Sequence, residues 1–181
     1  MFINQKKFPD GPFLFKLIKY FSVGIQNFAE SLFLGKNFVL IGPVSPSMKA
    51  EINLLTVNER ITYLDPIAHE QIPNYLFKAD LCIIPFVKNK LTESVLPNKM
   101  FEYAAAGKSC VMTEFNPSLK EFSDHVSIAS NTEGCISEIN QRINTVTPSD
   151  RMKSFAKKYD WSMISKKYYE ILEGIILTSN N

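Results

Sequence analysis

The sequence is poor in the residues that mark several large functional classes. It has 181 residues with three cysteines, two histidines, one tryptophan and seven glycines. Cys82, Cys110 and Cys135 are widely spaced and form no C-x-x-C pair, and Cys82 and Cys110 sit inside apolar runs. Free cysteine in such runs behaves as a small core residue, so neither a disulfide framework nor a zinc site is expected. His69 and His125 stand far apart and belong to no ligand-spaced motif. No metal is expected. There is no G-x-G-x-x-G and no G-x-x-x-x-G-K-[ST], which excludes the dinucleotide fingerprint and the P-loop. Charge of either sign is balanced: 20 Lys and Arg face 18 Asp and Glu, a net +2, too small to indicate nucleic acid. The apolar stretch 12–34 is broken by Lys16, Lys19, Gln26, Asn27 and Glu30 and does not read as a membrane span. No secretory leader is recognised in Met1–Gly11, so the cytoplasm is the default location.

What is present is a globular composition, 45% hydrophobic and 21% charged, long enough for one domain with a sizeable core. The segment 12–34 reads as a helix, with Phe13, Leu17, Ile18, Phe21, Ile25, Phe28, Ala29 and Leu32 near a 3.6-residue period. Its plain role is to pack on a sheet. The alternative is an interfacial helix, on a membrane surface or a missing partner, with Lys16 and Lys19 beside aromatics. Near-continuous apolar runs at 37–44, 60–64, 80–86 and 109–113 read as buried parallel strands, with a weaker fifth at 125–129. Helical patterns lie between them at 46–56, 69–78 and 97–107, followed by 132–144, 149–158 and 161–177, the last capped by Asp160. Alternating strands and helices predict an α/β fold, a single Rossmann-like doubly wound and mostly parallel sheet. Ligands in such sheets bind beyond the carboxyl ends of the strands. The loops 42–47, 65–69, 86–97 and 113–118 leave those ends, which makes Gly42, Pro43, Asp65 and Ile67 candidate base or cleft contacts. Glu114 and Asn116 are weaker ones, and His69 reads as a surface residue at a helix start rather than a catalytic base.

The stretch 94–107, SVLPNKMFEYAAAG, carries the sharpest signal. Pro97 suits the first turn of a helix, and Gly107 suits the left-handed position after its end. The first turn of a helix exposes unpaired N–H groups and a partial positive charge. Lys99 is misplaced there unless an anion is present, and an anion makes both Lys99 and the helix end favourable. The plain alternative is an exposed Lys99–Glu102 pair worth about 0.2–0.5 kcal/mol. Tyr103 reads as a packing residue.

The succession NFVLIGPV, RITYLDPIAHEQIPNYLFKADLCIIPF and LPNKMFEYAAAGKSCVMTEF resembles the C-terminal half of group 1, GT-B-type glycosyltransferases. The resemblance covers about residues 37–115, which divides the chain into 1–36, an unmatched helical segment, and 37–181, a nucleotide-sugar-binding Rossmann-like domain. It implies two facing Rossmann-like domains, of which this chain holds the donor-binding one. It implies a UDP- or GDP-sugar as donor, no other cofactor, and metal-independent, retaining transfer to an acceptor held by an N-terminal domain or subunit. Glu102 matches the carboxylate that accepts the donor ribose hydroxyls. Lys99 faces the diphosphate, and Pro97 and Asn98 stand at the helix start that holds phosphate oxygens. Ser94 stands where the family often has a second Glu, with Glu93 beside it, a departure at the sugar contact. No catalytic residue is assigned. The isolated chain is expected to transfer sugar poorly. The other readings are a non-catalytic nucleotide-binding or subunit-docking module, with 12–34 as the docking surface, and a truncated relic.

Overall fold

A computed structural model of the chain describes residues 13–17, 36–143, 145 and 149–179. Six strands form one sheet: β1 (Phe13–Leu17), β2 (Asn37–Ile41), β3 (Ile61–Leu64), β4 (Leu81–Ile84), β5 (Cys110–Thr113) and β6 (Ser127–Ala129). Every pairing is parallel, and the order is β3-β2-β1-β4-β5-β6. Among the described residues six α-helices accompany them: α1 (Lys49–Leu55), α2 (Ile72–Lys78), α3 (Asn98–Ala105), α4 (Thr132–Ile143), α5 (Ser149–Lys158) and α6 (Trp161–Ser179). The expected doubly wound sheet is therefore present, with five strands and six helices near their predicted positions.

The helix expected over 12–34 is corrected at its start. Phe13–Leu17 is a strand, and it lies at the centre of the sheet, with Phe15 opposite Val39 of β2 and Cys82 of β4. FLFKL fits either a helix or a strand by pattern, and the two flanking strands decide between them. The sheet thus draws on residues on both sides of position 36. Position 12 and residues 18–34 lie outside the described residues, as does the interfacial or docking role read for them.

Alternation along the strands explains why the sheet is covered on both faces. Val39 and Ile41 of β2 share one core with Cys82, Ile84, Cys110 and Met112, covered by Leu76 of α2, Met100, Tyr103 and Ala104 of α3, and Met152, Phe155 and Ala156 of α5. Phe38 and Leu40 join Leu81, Ile83 and Val111 on the other face, under Ile52 and Leu55 of α1 and Cys135 and Ile139 of α4. All three cysteines are buried free thiols. Burial pushes the Cys135 thiol up to about 12 and raises those of Cys82 and Cys110 as well. They are core residues, as the apolar runs around Cys82 and Cys110 predicted for those two.

Three connections begin as 3-10 turns, at Pro46–Met48, His69–Gln71 and Pro117–Phe122. The last is opened by Asn116, whose side chain accepts a hydrogen bond from the Ser118 backbone N–H at 2.9 Å. Helix α3 ends as expected at Gly107, with φ +74°. The Gly107 and Lys108 N–H groups donate to the Ala104 and Tyr103 carbonyls at 2.8 and 2.9 Å. A methyl group at Gly107 would come within 2.1 Å of the Ser149 hydroxyl, so α5 starts hard against the end of α3. The Lys108 ammonium donates to the Phe77 carbonyl at 2.9 Å, which ties this corner to the end of α2.

Candidate functional site

The strand order reverses between β1 and β4. A crevice outside the carboxyl ends is expected at that switch point. The loop that leaves β4 there runs 85–97 and delivers the chain to the first turn of α3. It is well held. The Thr113 hydroxyl donates to the Phe86 carbonyl at 2.5 Å, and the Asn116 amide donates to the Val95 carbonyl at 3.2 Å. The rings of Phe86 and Phe115 meet at 4.9 Å. Within the loop, the Thr92 hydroxyl donates to the Val87 carbonyl at 2.8 Å and Lys88 pairs with Glu93 at 3.6 Å. Asn116 is buried and spends both ends of its amide on this scaffold, so its role is to position the loop. Glu114 pairs with Lys120 at 3.0 Å.

At the end of the loop Pro97 is buried and occupies the N-cap position with extended backbone, and no side chain caps the turn. The proline ring fixes the approach, and its carbonyl receives the Met100 N–H at 3.0 Å. Along α3 the side chains then divide by helical period. Met100, Tyr103 and Ala104 are buried in the core, Lys99 is half-buried, and Asn98, Glu102 and Ala105 face outward one turn apart. The reading of Tyr103 as a packing residue holds, since it is 1% exposed.

The outward face of α3 forms one wall of a cleft of about 600 Å³. Asn98 and Glu102 line it with Lys153 and Lys157 of α5 and with Tyr159, Asp160 and Trp161 at the junction of α5 and α6. The geometry follows from α5 running back along α3. Ser149 abuts Gly107 at one end, and Tyr159 stacks on Phe101 at the other, with ring centroids 4.6 Å apart and planes 28° from parallel. The start of α6 is thereby delivered beside the start of α3. Asp160 caps α6 as expected, accepting from the Ser162 N–H at 2.9 Å and from the Ser162 hydroxyl, and these bonds hold its carboxyl below the usual carboxylate range. The cleft therefore carries a carboxylate and a carboxamide on one side, and two ammonium groups, the Asp160 carboxylate and an exposed indole on the other.

Gly42, Pro43, Asp65 and Ile67 do not line this cleft. They lie at the carboxyl ends of β2 and β3, on the other side of the switch point. The Tyr63 hydroxyl joins two of them, donating to the Gly42 carbonyl at 2.9 Å and to the Asp65 carboxylate at 3.3 Å. Burial, followed by the charge of Asp65, raises the Tyr63 phenol above its ordinary value. Gly42 has φ +136°, which few side-chain-bearing residues adopt. Pro43 is exposed, and Ile67 is half-buried against the core. β2 is two strand spacings from β4, about 10 Å. Ser94 ends an exposed 3-10 turn at Thr92–Ser94, and His69 is exposed at the start of another turn. Among the described residues no three His, Cys, Asp or Glu side chains are grouped to hold a metal ion.

The profile of the family described as "Glycosyl transferases group 1" matches residues 17–159. The chain belongs to this family. A Bacillus subtilis (strain 168) protein named for glycosyl transfer in teichuronic acid biosynthesis, TuaH, is 28% identical over 76 residues, which are 42% of this chain and 19% of that one. Among solved structures, AviGT4, a glycosyltransferase involved in avilamycin A biosynthesis, superposes with a TM-score of 0.68 at 18% identity, over 92% of this chain and 52% of its own. The E. coli trehalose-6-phosphate protein bound with UDP-2-fluoro glucose superposes with a TM-score of 0.63 at 14% identity, over 88% of this chain and 43% of its own. This group 1 chain thus has the fold of one Rossmann-like half of a GT-B transferase, and it spans about half the length of the structures it matches. The family match reaches back to residue 17, into the segment that sequence reading left unmatched.

Sequence reading named Asn98 and Glu102 but not the wall opposite them. Lys153 and Lys157 lie in the predicted helix 149–158, and nothing in their local pattern marks them as site residues. Trp161 read as one of the apolar stripe of the last helix. The signal that could have found them is the pair of aromatics Phe101 and Tyr159, which pins the end of α5 to the start of α3.

Proposed function

We propose that this chain is the donor-binding half of a nucleotide-sugar-dependent glycosyltransferase. The observation that carries the reading is the start of α3, a helix end with no side-chain cap, delivered by a braced loop to the switch point of a parallel sheet. A diphosphate fits there, held by the first N–H groups of α3 beside Asn98 and by Lys99. Glu102, one turn on and open to the cleft, accepts hydroxyls. A carboxylate suits a ribose because it is acceptor-only and can take two hydroxyls at once. Breaking the glycosidic bond adds charge to the leaving diphosphate, and a preorganised helix end with an ammonium stabilises that charge as it forms. Such a site needs no metal. Gly42, Pro43, Asp65 and Ile67, across the crevice, are the base contacts in this reading, and Ser94 lies toward the sugar. Retention at the anomeric carbon is part of the proposal and comes from the family resemblance alone. The UDP-sugar on the E. coli neighbour supports a uridine or similar nucleotide.

Transfer by the purified chain is expected to be weak, since the neighbours carry as much chain again. Nucleotide binding is therefore the test. Titrating UDP, GDP and ADP should raise the melting temperature with one of them, and a nucleotide at 100 times its Kd adds about 2.7 kcal/mol. Glu102→Ala should remove most of the shift without lowering the ligand-free melting temperature, and Lys99→Ala should weaken the shift. No shift with any nucleotide would favour the docking-module or relic readings. Strong transfer by the chain alone would refute the half-site view.

A further inference from the structure

Of Gly42, Pro43, Asp65 and Ile67, only Asp65 has a side chain that can hydrogen-bond a ligand. Gly42 and Pro43 carry no polar side chain, and Ile67 is apolar and half-buried against the core. The backbone of Gly42 is already engaged. Its N–H donates to the Leu64 carbonyl at 3.2 Å, and its carbonyl accepts from the Tyr63 hydroxyl at 2.9 Å. That hydroxyl has one proton, and the shorter bond to Gly42 takes it, so the 3.3 Å contact with Asp65 is the weaker of the two. Asp65 is exposed, and among the described residues no lysine, arginine or histidine pairs with it. Its carboxylate therefore stands at the carboxyl edge of the sheet, where such folds bind ligands, with acceptor capacity to spare.

We infer that Asp65 reads the base of the nucleotide and that this base is guanine, so that the donor is a sugar carried on guanosine diphosphate. The inference rests on the nucleotide reading above and decides its choice of base. An ionised carboxylate only accepts hydrogen bonds, and it does so through two oxygens side by side. Its complement is an edge with two neighbouring donors. Guanine has such an edge, with the ring N1–H beside the exocyclic amino group. Uracil has a single N3–H between two carbonyl oxygens, which a carboxylate repels. Adenine and cytosine each place their amino group beside a ring nitrogen that is itself an acceptor. No side chain among the four residues donates to the carbonyls of uracil. Pro43 and Ile67 supply apolar surface, which suits any base and selects none.

The test is calorimetric titration of the purified chain with GDP, UDP, ADP and inosine diphosphate. GDP is expected to bind at least about tenfold more tightly than UDP or ADP, as a bidentate contact to a base edge gives. Inosine diphosphate keeps the N1–H and lacks the amino group, so it is expected to fall between them. In Asp65→Asn the carboxamide offers one acceptor and one donor, which fits the N1–H and C2 carbonyl of xanthine. That variant is expected to lose the preference for GDP and to bind xanthosine diphosphate at least about tenfold more tightly than the parent does. UDP or ADP binding as tightly as GDP would overturn the inference. So would inosine diphosphate matching GDP, or an Asp65→Asn variant that melts like the parent and keeps its preference for GDP. The comparison of GDP with inosine diphosphate needs no variant, so the test stands even where Asp65→Asn does not fold. The two proposals fail differently. A preference for UDP, with binding lost in Glu102→Ala, removes guanine and keeps the nucleotide site, whereas no binding of any nucleotide removes both.

Discussion

Helices α5 and α6 are separated by two residues and have opposite fates. Both are amphipathic. α5 buries Met152, Phe155 and Ala156 against α3, whereas every described side chain of α6 is exposed although its apolar stripe is longer. Pattern alone therefore does not make a core helix. α5 has a surface to cover, the groove beside α3, and the close approach at Gly107 and the ring stack at Tyr159 fix its two ends. α6 leaves that groove at Asp160 and has no such surface within the described residues. The difference divides the C-terminal region into a part that stabilises this domain and a part whose contribution depends on what lies against it.

The sharpest way to break that division is at Phe155. It is 2% exposed and sits among Phe101, Phe122, His125 and Tyr159, with centroids 4.3–6.0 Å away. Phe155→Ala should cost about 3–5 kcal/mol in urea unfolding, the range for a large aromatic removed from a packed core. A loss below about 1 kcal/mol would mean that α5 is as peripheral as α6.

Gly107 tests the other end of the same seam. Gly107→Ala introduces both an unfavourable positive φ and a clash with the Ser149 hydroxyl, at a cost of about 1–3 kcal/mol. Adding Ser149→Ala should recover part of that loss, because it removes the clash and leaves the backbone strain. If the double variant is no more stable than Gly107→Ala, the contact with α5 is not what makes glycine necessary.

A smaller effect comes from His125, whose ring stacks on Phe155 at 4.3 Å and 15° while its Nδ1 is buried without a hydrogen-bond partner. Burial first, then the positive charges of Arg151 and Lys158, lowers its pKa below the ordinary 6.5. The folded protein thus binds a proton less readily than the unfolded chain. The stability that neutral His125 confers is complete above pH 6.5 and is lost as the pH falls toward the folded-state value. Unfolding at pH 7.5 and 5.5 should show a modest decline, flattened in His125→Phe, which keeps the stack and cannot titrate. An equal decline in that variant would assign the pH dependence to other groups.

Much of this arrangement is legible in the residues. β2, β4 and β5 are continuous apolar runs because helices cover both faces of the sheet, and Gly107 announces a left-handed turn. Lys99 and Glu102 stand out because a lysine at a helix start needs an anion. β1 was not legible, because Phe13, Leu17, Ile18 and Phe21 satisfy a helical period and only pairing with Asn37–Ile41 and with Leu81 and Cys82 makes the segment a strand. The far wall of the cleft was hidden for a related reason. Lys153, Lys157 and Trp161 share a cleft with Glu102 only because α5 doubles back along α3, which no local pattern encodes.

The least effect is expected on α6, and it sharpens the comparison most. Ile171→Ser and Ile175→Ser remove apolar surface from side chains that are 60% and 56% exposed. Nothing is left unfilled, so no cavity term arises, and surface changes of this kind fall within about 0.5 kcal/mol. The double variant should therefore unfold at the same urea midpoint as the parent, whereas Phe155→Ala, six residues before Trp161, shifts it by several kcal/mol. The two substitutions also make the stripe less apolar, so the purified variant should stay soluble at higher concentration, as light scattering would show. A loss above about 1 kcal/mol in the double variant would mean that α6 is part of this domain's own core.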